Sequence, residues 1–523
     1  MRRRTILATA AAAMAAPSIV RAQSATTLKF VPYADLVLLD PAVSSFVTRN
    51  HVLMVFDTLF GVDEAGRVQP QMLAGSTTAP DGLTWTLTLR DGLKFHDNTP
   101  VLARDVVASL RRWWVQDAFG QALALATDEL SAPDDRTIVF RLKRKFPLLP
   151  DALAHPTNTM AAIMPERLAA TPASTRLTEM IGSGPFRYVA NERIPGARNV
   201  YARFDGYVPR TDAPSFTAGA RVAYFDRVEW LTTPDPATQV AALQNGEVDY
   251  VEQPLMDLVP QLRANKTVKV EVVETKGLIG FLRFNQLFPP FNNPAIRRAM
   301  LGAVSKEDVV TTVVGTDAKM YRTGVGFFCP GTPMASEVGM EALNTPRDMT
   351  KVKAALEAAG YRNERVVLLA ATDFPVLKSM ADVTADMMSR AGLNVDYQAT
   401  DWGSVVARRG KKEPVEQGGW SAFCTAWAGT DHANPAGHLS LRTNGNAAWF
   451  GWPSDTTIES LRDQWFVADG VPAQAAICAD IQKAAFDNVP YIPMGQYLQP
   501  TAYRDSLTGM LSGFALFWNV RRA

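Results

Sequence analysis

The stretch "VFDTLFGVDEAGRVQPQMLAGSTTAPDGLTWTLTLRDGLKFHDNTPVLARDVVASLRRW", Val55 to Trp113, decides the fold. At its start, Val52, Val55, Phe56 and Leu59 of "NHVLMVFDTLF" fall at i, i+3, i+4 and i+7, which predicts an amphipathic helix. In "GLTWTLTLR" Leu83, Trp85, Leu87 and Leu89 alternate with polar residues, the pattern of a half-buried strand. Asp91-Gly92 then turns the chain toward a second strand through Leu93 and Phe95. Thr99 caps a following helix that has Pro100 at its first position and Val106, Leu110 and Trp113 on one face.

Outward from this block the mixture of elements continues. Ile138, Phe140 and Leu142 alternate as a strand. "RVVLLAA" (Arg365 to Ala371), "VLKSMADVTADMMSRAG" (Val376 to Gly392) and "LNVDYQAT" (Leu393 to Thr400) read as strand, helix and strand, a unit that implies a parallel sheet in the second half. A chain of 523 residues is too long for one core, so two or three domains are expected. No low-complexity linker or short repeat interrupts it.

Met1 to Ala22, "MRRRTILATAAAAMAAPSIVRA", has the layout of an export signal: arginines, an apolar run from Ile6 to Val20, then small residues. Cleavage is expected after Ala22. Arg3-Arg4-Thr5-Ile6-Leu7 suits either a twin-arginine or a plain secretory route. With no Cys after the apolar run, a lipid anchor is not expected, and the mature chain should lie in the periplasm. Four of the 53 basic residues, Arg2, Arg3, Arg4 and Arg21, belong to this leader, so 49 remain against 52 acidic ones. A weakly acidic surface without a basic block argues against nucleic acid or an anionic membrane as partner. Cys329, Cys424 and Cys478 are read as small buried residues, since three cysteines build no disulfide framework.

The Val55 to Trp113 block resembles the most characteristic part of the family 5 extracellular solute-binding proteins, the receptors of peptide and nickel ABC importers. The likeness continues through "IGSGPFRYV" (Ile181 to Val189), "QVAALQNGEVDYV" (Gln239 to Val251), "FNQLFPPFNNPAIRRAM" (Phe284 to Met300) and "YIPMGQY" (Tyr491 to Tyr497), in the family's order. The resemblance implies an α/β fold, a two-lobed periplasmic binding protein with hinge-linked lobes and an extra domain inserted in the first lobe. Carried onto this chain, residues 23–50, 181–275 and 498–523 form the first lobe, 51–180 the insert and 276–497 the second lobe. It further implies a periplasmic substrate-binding component that delivers a peptide or related amine-bearing small molecule to inner-membrane permease subunits with separate ATPase chains. It would act as a monomer and need no cofactor.

In peptide-binding members a segment like "gWtgDygDP" ends a second-lobe strand, and its first Asp meets the ligand's α-ammonium. The counterpart here is Trp427-Ala428-Gly429-Thr430-Asp431-His432-Ala433-Asn434-Pro435, with one more residue between Trp and Asp. The physical logic stands by itself: an ammonium entering a water-poor cleft loses its hydration and needs a carboxylate with good geometry. Thr430 lets backbone approach and Trp427 offers a flat wall. Asp431 could also be a helix cap before Pro435. Trp402, in "DWGSVVARR", matches a family aromatic of the ligand chamber, with a core position beside Val405 and Val406 as the alternative. Trp449 is a further aromatic candidate, and Tyr33 and Ser44 to Phe46 are first-lobe candidates by position. The family's carboxylate-clamping Arg is missing from "AATDFPVLK", where Asp373 suits a second cation instead, and Arg322 is the candidate substitute. A longer peptide, an opine-like conjugate or a metal chelate stays compatible.

Catalysis is not expected. The five His residues show no metal spacing, His432 and His438 being six apart, and no nucleophile elbow, S-x-x-K or phosphate-binding loop is present. A receptor that docks on a sensor instead of a permease would use the same closing cleft, and the sequence leaves the two open.

Overall fold

The computed structural model describes residues 26–42, 45–157 and 159–523, apart from the side chain of Phe46. The leader with its cleavage site, Ser44 and the Phe46 side chain therefore lie outside the described residues. Two large sheets organise the chain. The first has the order Val268–Glu271, Thr501–Arg504, Tyr250–Val251, Thr27–Val31, Arg227–Leu231, Arg198–Arg203, Phe186–Tyr188. The second runs Tyr321–Arg322, Tyr491–Tyr497, Leu278–Phe284, Ala422–Ala428, Arg365–Ala371, Asn394–Thr400. A separate four-stranded antiparallel sheet is built from Leu73–Thr78, Thr84–Leu89, Thr137–Leu142 and Thr127–Ser131.

The chain crosses between the large sheets after Glu271 and again after Tyr497, and the two crossings touch. Gln496 Nε2 donates to the Lys276 carbonyl at 2.6 Å. Gly277, at φ +58, leaves no room for a side chain, since a Cβ there would meet the Tyr497 carbonyl oxygen at 2.5 Å. The expected strand, helix and strand of the second half are present as Arg365–Ala371, Pro375–Arg390 and Asn394–Thr400, and the strands pair in parallel. The first of these strands is buried along nearly its whole length, as expected for a sheet covered on both faces.

Three local expectations change. The first helix is Phe46–Val55, so Phe56 and Leu59 lie beyond its end, although both are buried. Thr84–Leu89 does not pair with a strand through Leu93 and Phe95. Its partners are Leu73–Thr78 and Thr137–Leu142, and Leu93 and Phe95 are buried from a loop. The next helix starts at Ala103 rather than Pro100, because Asp105 Oδ2 accepts the Leu102 N–H at 2.8 Å and caps it there. The helix Phe46–Val55 also runs through position 51, where the resemblance ends the first lobe. Its Val47, Val52, Leu53, Met54 and Val55 pack in one core with Leu28, Phe30 and Trp230, and Met160, Met164 and Leu168 join them. Phe119 and Phe146, by contrast, meet Phe466 of the second large unit at 5.5 and 6.0 Å between ring centroids.

Candidate functional site

The strand Ala422–Ala428 is buried at every residue and aims its carboxyl end at the crossing between the sheets. There the chain makes a short 3-10 turn, Gly429–His432. Gly429 is required, because a Cβ would lie 2.3 Å from the Lys276 carbonyl oxygen and 2.7 Å from Cys329 Sγ. The turn carries Asp431 into the seam between the lobes, where it is 1% exposed and neither carboxylate oxygen has a hydrogen-bond partner among the described residues. It therefore caps no helix. Thr430 Oγ1 is likewise buried without a partner.

Across the seam stands Arg49, from the helix Phe46–Val55, with Nη1 3.9 Å from Asp431 Oδ2 and its guanidinium 3.3 Å from the Phe514 ring centroid. Beside Arg49, Asn50 Nδ2 donates to Glu252 Oε1 at 3.0 Å, and the Tyr33 backbone N–H donates to Glu252 Oε2 at 3.0 Å. Glu274 Oε1 accepts the Lys276 N–H at 2.9 Å, while its Oε2 is buried without a partner. The charges of Asp431, then Glu274 and Glu252, all act on Arg49. Burial pushes Asp431 up to about 6, against the opposing charges of Arg49 and then His155. Burial also lifts Glu252 to about 7 and raises Glu274. The Tyr33 hydroxyl is held well above its ordinary value, first by burial and then by Glu252.

The expected residues are not all gathered here. Tyr33 is, and its ring reaches across the seam to Phe374 at 5.8 Å, which in turn meets Trp402 edge-on at 5.8 Å. Trp427 is only 5% exposed and is packed edge-on by Phe281 and Trp449, at 5.8 and 4.9 Å, inside the second-lobe core. Trp449 is half-buried beside it. Asp373 is exposed, and its Oδ1 accepts the Trp402 N–H at 2.7 Å, so it caps the helix Trp402–Arg408. Arg322 stands exposed on the short edge strand Tyr321–Arg322, beside Lys319 and Gln496, and forms no ion pair among the described residues.

The guanidinium that comes closest to the role given to Arg322 is Arg409. It lies within 4.8 to 5.9 Å of the rings of Phe450, Trp402, Trp449 and Phe423. Its Nε is buried without a partner, it has no carboxylate at ion-pair distance among the described residues, and burial lowers it to about 10. Arg49, Asn50, Glu252, Glu274 and Arg409 escaped the sequence reading. Only Glu252 carried a signal, standing directly after the "GEVDYV" block that the family resemblance had already singled out.

The model of the bacterial extracellular solute-binding proteins, family 5, matches residues 67–449. A relative from Sinorhizobium fredii named as a probable peptide ABC transporter periplasmic-binding protein, y4tO, is 36% identical over 521 residues, covering 98% of this chain and 97% of its own. Among solved structures, the ABC transporter-associated periplasmic binding protein DppA of Helicobacter pylori, in complex with the peptide STSA, superposes with a TM-score of 0.80 at 20% identity over 96% of this chain and 99% of that one. AgaA of A. tumefaciens R10, in complex with agropinic acid, gives 0.79 at 22% identity over 95% and 99%. At such identities the structural likeness establishes the two-lobed fold alone. The family match over most of the chain and the full-length relative establish the rest: this protein belongs to the family 5 bacterial extracellular solute-binding proteins.

Proposed function

We propose that the chain is the periplasmic substrate-binding component of an ABC importer, capturing a peptide or related amine-bearing small molecule between its lobes as a monomer and handing it to inner-membrane permease subunits whose ATPases are separate chains. The observation that carries this reading is Asp431, a carboxylate sunk in the seam with both oxygens lacking a hydrogen-bond donor among the described residues. A carboxylate in that position costs several kcal/mol in lost hydration unless a cation with N–H donors meets it. Arg49 at 3.9 Å lends charge from the opposite lobe without taking up either oxygen in a hydrogen bond. A ligand ammonium between the lobes completes the pairing, so closure is favoured by ligand through its contacts in the closed state alone. Arg409, within its ring of aromatics, is the group suited to the ligand's carboxylate, a role that its planar fork fills and a lysine does not. The relative from Sinorhizobium fredii, named for a peptide transporter, supports the peptide class.

The test is mass spectrometry of the small molecules released on denaturing protein purified from its native periplasm, followed by calorimetry with the recovered species. A family of peptides that binds wild type and is weakened in Asp431→Asn is the expected result. A molecule with no amine, or equal binding by the variant, overturns the reading. Release of a single amine-bearing non-peptide keeps Asp431 as the anchor and replaces the peptide class.

A further inference from the structure

The seam offers far more hydrogen-bond acceptors than one ammonium can use. Besides the two oxygens of Asp431 and the hydroxyl of Thr430, Glu274 Oε2, Asn50 Oδ1 and Gln496 Oε1 are buried without a hydrogen-bond partner among the described residues. Two of these belong to neutral amides, Asn50 at 3% and Gln496 at 2% exposure, so the surplus is not a by-product of clustered acids. Each amide is held by its nitrogen, Asn50 Nδ2 on Glu252 and Gln496 Nε2 on the Lys276 carbonyl, which fixes the oxygen as the end left over. The peptide of Lys276 joins two of the acceptors: its N–H lies on Glu274 Oε1 and its carbonyl on Gln496 Nε2. Glu274 and Gln496 are therefore set by one rigid unit at the crossing of the two strands. The Lys276 ammonium points elsewhere, 3.5 Å from the Gly331 carbonyl.

The charges point the same way. Asp431, Glu252 and Glu274 all act on Arg49, whose guanidinium is fixed over the Phe514 ring, and the other cations that act on them are Lys276 on Glu274 and His155 on Asp431. Buried carboxylates stay ionised only where cations match them and otherwise keep a proton, so a cationic ligand is favoured here. An ammonium supplies a compact cluster of donors, whereas a guanidinium adds a planar fork that fits two acceptors held side by side.

We infer that the seam recognises a doubly cationic head group, an amine whose own side chain bears a guanidinium, as at the amino end of a peptide that begins with arginine. The ammonium meets Asp431 and Thr430, and the guanidinium meets Glu274 and the Gln496 carbonyl. This rests on the amine-capture reading above and narrows it to one class of amine.

The experiment is titration calorimetry of the ligand-free mature protein with arginyl-glycyl-glycine, citrullinyl-glycyl-glycine and triglycine. Citrulline keeps the shape of arginine and removes its charge. The arginyl peptide is expected to bind about tenfold or more tighter than the citrullinyl one, since a charge-assisted pair in a buried site outweighs a neutral contact by that order. In Glu274→Gln that preference is expected to shrink markedly. Equal affinity of the arginyl and citrullinyl peptides for wild type, with both weakened in Asp431→Asn, overturns the inference and leaves the amine-capture reading standing. Binding of none of the three peptides overturns the peptide class and the inference with it.

Discussion

Arg283 and Asp431 lie in the same lobe, are 0% and 1% exposed, and are treated in opposite ways. The guanidinium of Arg283 is surrounded by backbone carbonyls: Nε donates to Phe450 at 2.5 Å, Nη1 to Ser440 at 2.8 Å and to Pro490 at 3.0 Å, and Nη2 to Trp449 at 3.0 Å. Neither oxygen of Asp431 accepts a hydrogen bond among the described residues. Buried polar groups are as a rule satisfied, so the contrast sorts the two by purpose. A charge whose hydrogen bonds are complete within the chain ties loops together, here the segment around Trp449 to the strand Leu278–Phe284. A charge left incomplete in a seam between lobes is a place for something else.

The sharpest way to break this contrast is to remove Arg283. Arg283→Met takes a donor from four carbonyls and leaves those of Phe450 and Ser440 without one among the described residues, and the expected cost is at least about 3 kcal/mol of stability. It should be read as a lower urea midpoint or as loss of folded protein, with no ligand needed to see it. A midpoint unchanged from wild type would show that a complete set of bonds does not mark a structural charge here.

Asp431→Asn should do the reverse. It removes a buried charge whose oxygens accept no hydrogen bond among the described residues and which Arg49 meets only at 3.9 Å, so the ligand-free protein is expected to be as stable as wild type or more so. Affinity for the amine ligand should fall by about 2 to 5 kcal/mol, the range for truncating one side of a desolvated charge pair. Destabilisation together with unchanged affinity would place Asp431 with Arg283 among the structural charges.

The acidity of the seam supplies a milder probe. Burial holds Asp431 at about 6 and Glu252 at about 7 in the folded chain, against about 4 for such carboxyls unfolded. A carboxyl raised by folding keeps its proton longer in the folded state. The stability linked to it is fully present below about pH 4 and is lost as the pH climbs through about 6 and 7. The difference in stability between wild type and Asp431→Asn should therefore grow from pH 4 to 7, in favour of the variant, by an amount on the order of 2 kcal/mol. Affinity for a cationic ligand runs the other way and rises with pH over the same window, because binding requires the carboxylates ionised. Proton release on binding, seen as a dependence of the calorimetric heat on buffer ionisation enthalpy, checks this. Parallel pH profiles for the two proteins would contradict it.

How much of the seam was visible in the sequence follows from what each residue's neighbours betray. Asp431 sits a fixed distance past a strand of small and apolar residues and before an Asn-Pro, so its spacing identifies it. Arg49 sits in "VTRNHVLM", where an Arg reads as the polar side of an amphipathic helix. Only the tertiary contact turns it toward a carboxylate in the other lobe. Arg408 and Arg409 are adjacent, and nothing in the spacing says which turns inward: Arg408 donates to the Gly418 and Gly419 carbonyls, and Arg409 enters the aromatics. Trp427 and Trp449 were identified as large aromatics of the right lobe, but periodicity cannot distinguish a wall from a core. The hairpin expected after Asp91-Gly92 failed for a related reason. The turn is real, with Gly92 at φ +76, yet the strand Thr84–Leu89 had both edges taken by more distant strands.

Asp373 gives the smallest effect and the finest distinction. Its geometry is that of a cap, one oxygen on the Trp402 N–H at 2.7 Å, with Asp401 supplying a second cap at the Ser404 N–H at 2.9 Å. Asp373→Ala should therefore cost about 0.5 to 1 kcal/mol of stability, and any weakening of ligand binding should be no larger than that, arising through the aromatic contact of Trp402 with Phe374. The two quantities can be measured on the same preparation, by urea denaturation and by calorimetry with a cationic and a neutral ligand. A loss of affinity that exceeds the loss of stability, and that falls on the cationic ligand alone, would move Asp373 from the cap to the ligand. It would also extend the incomplete charges of the seam out to the rim of the second lobe.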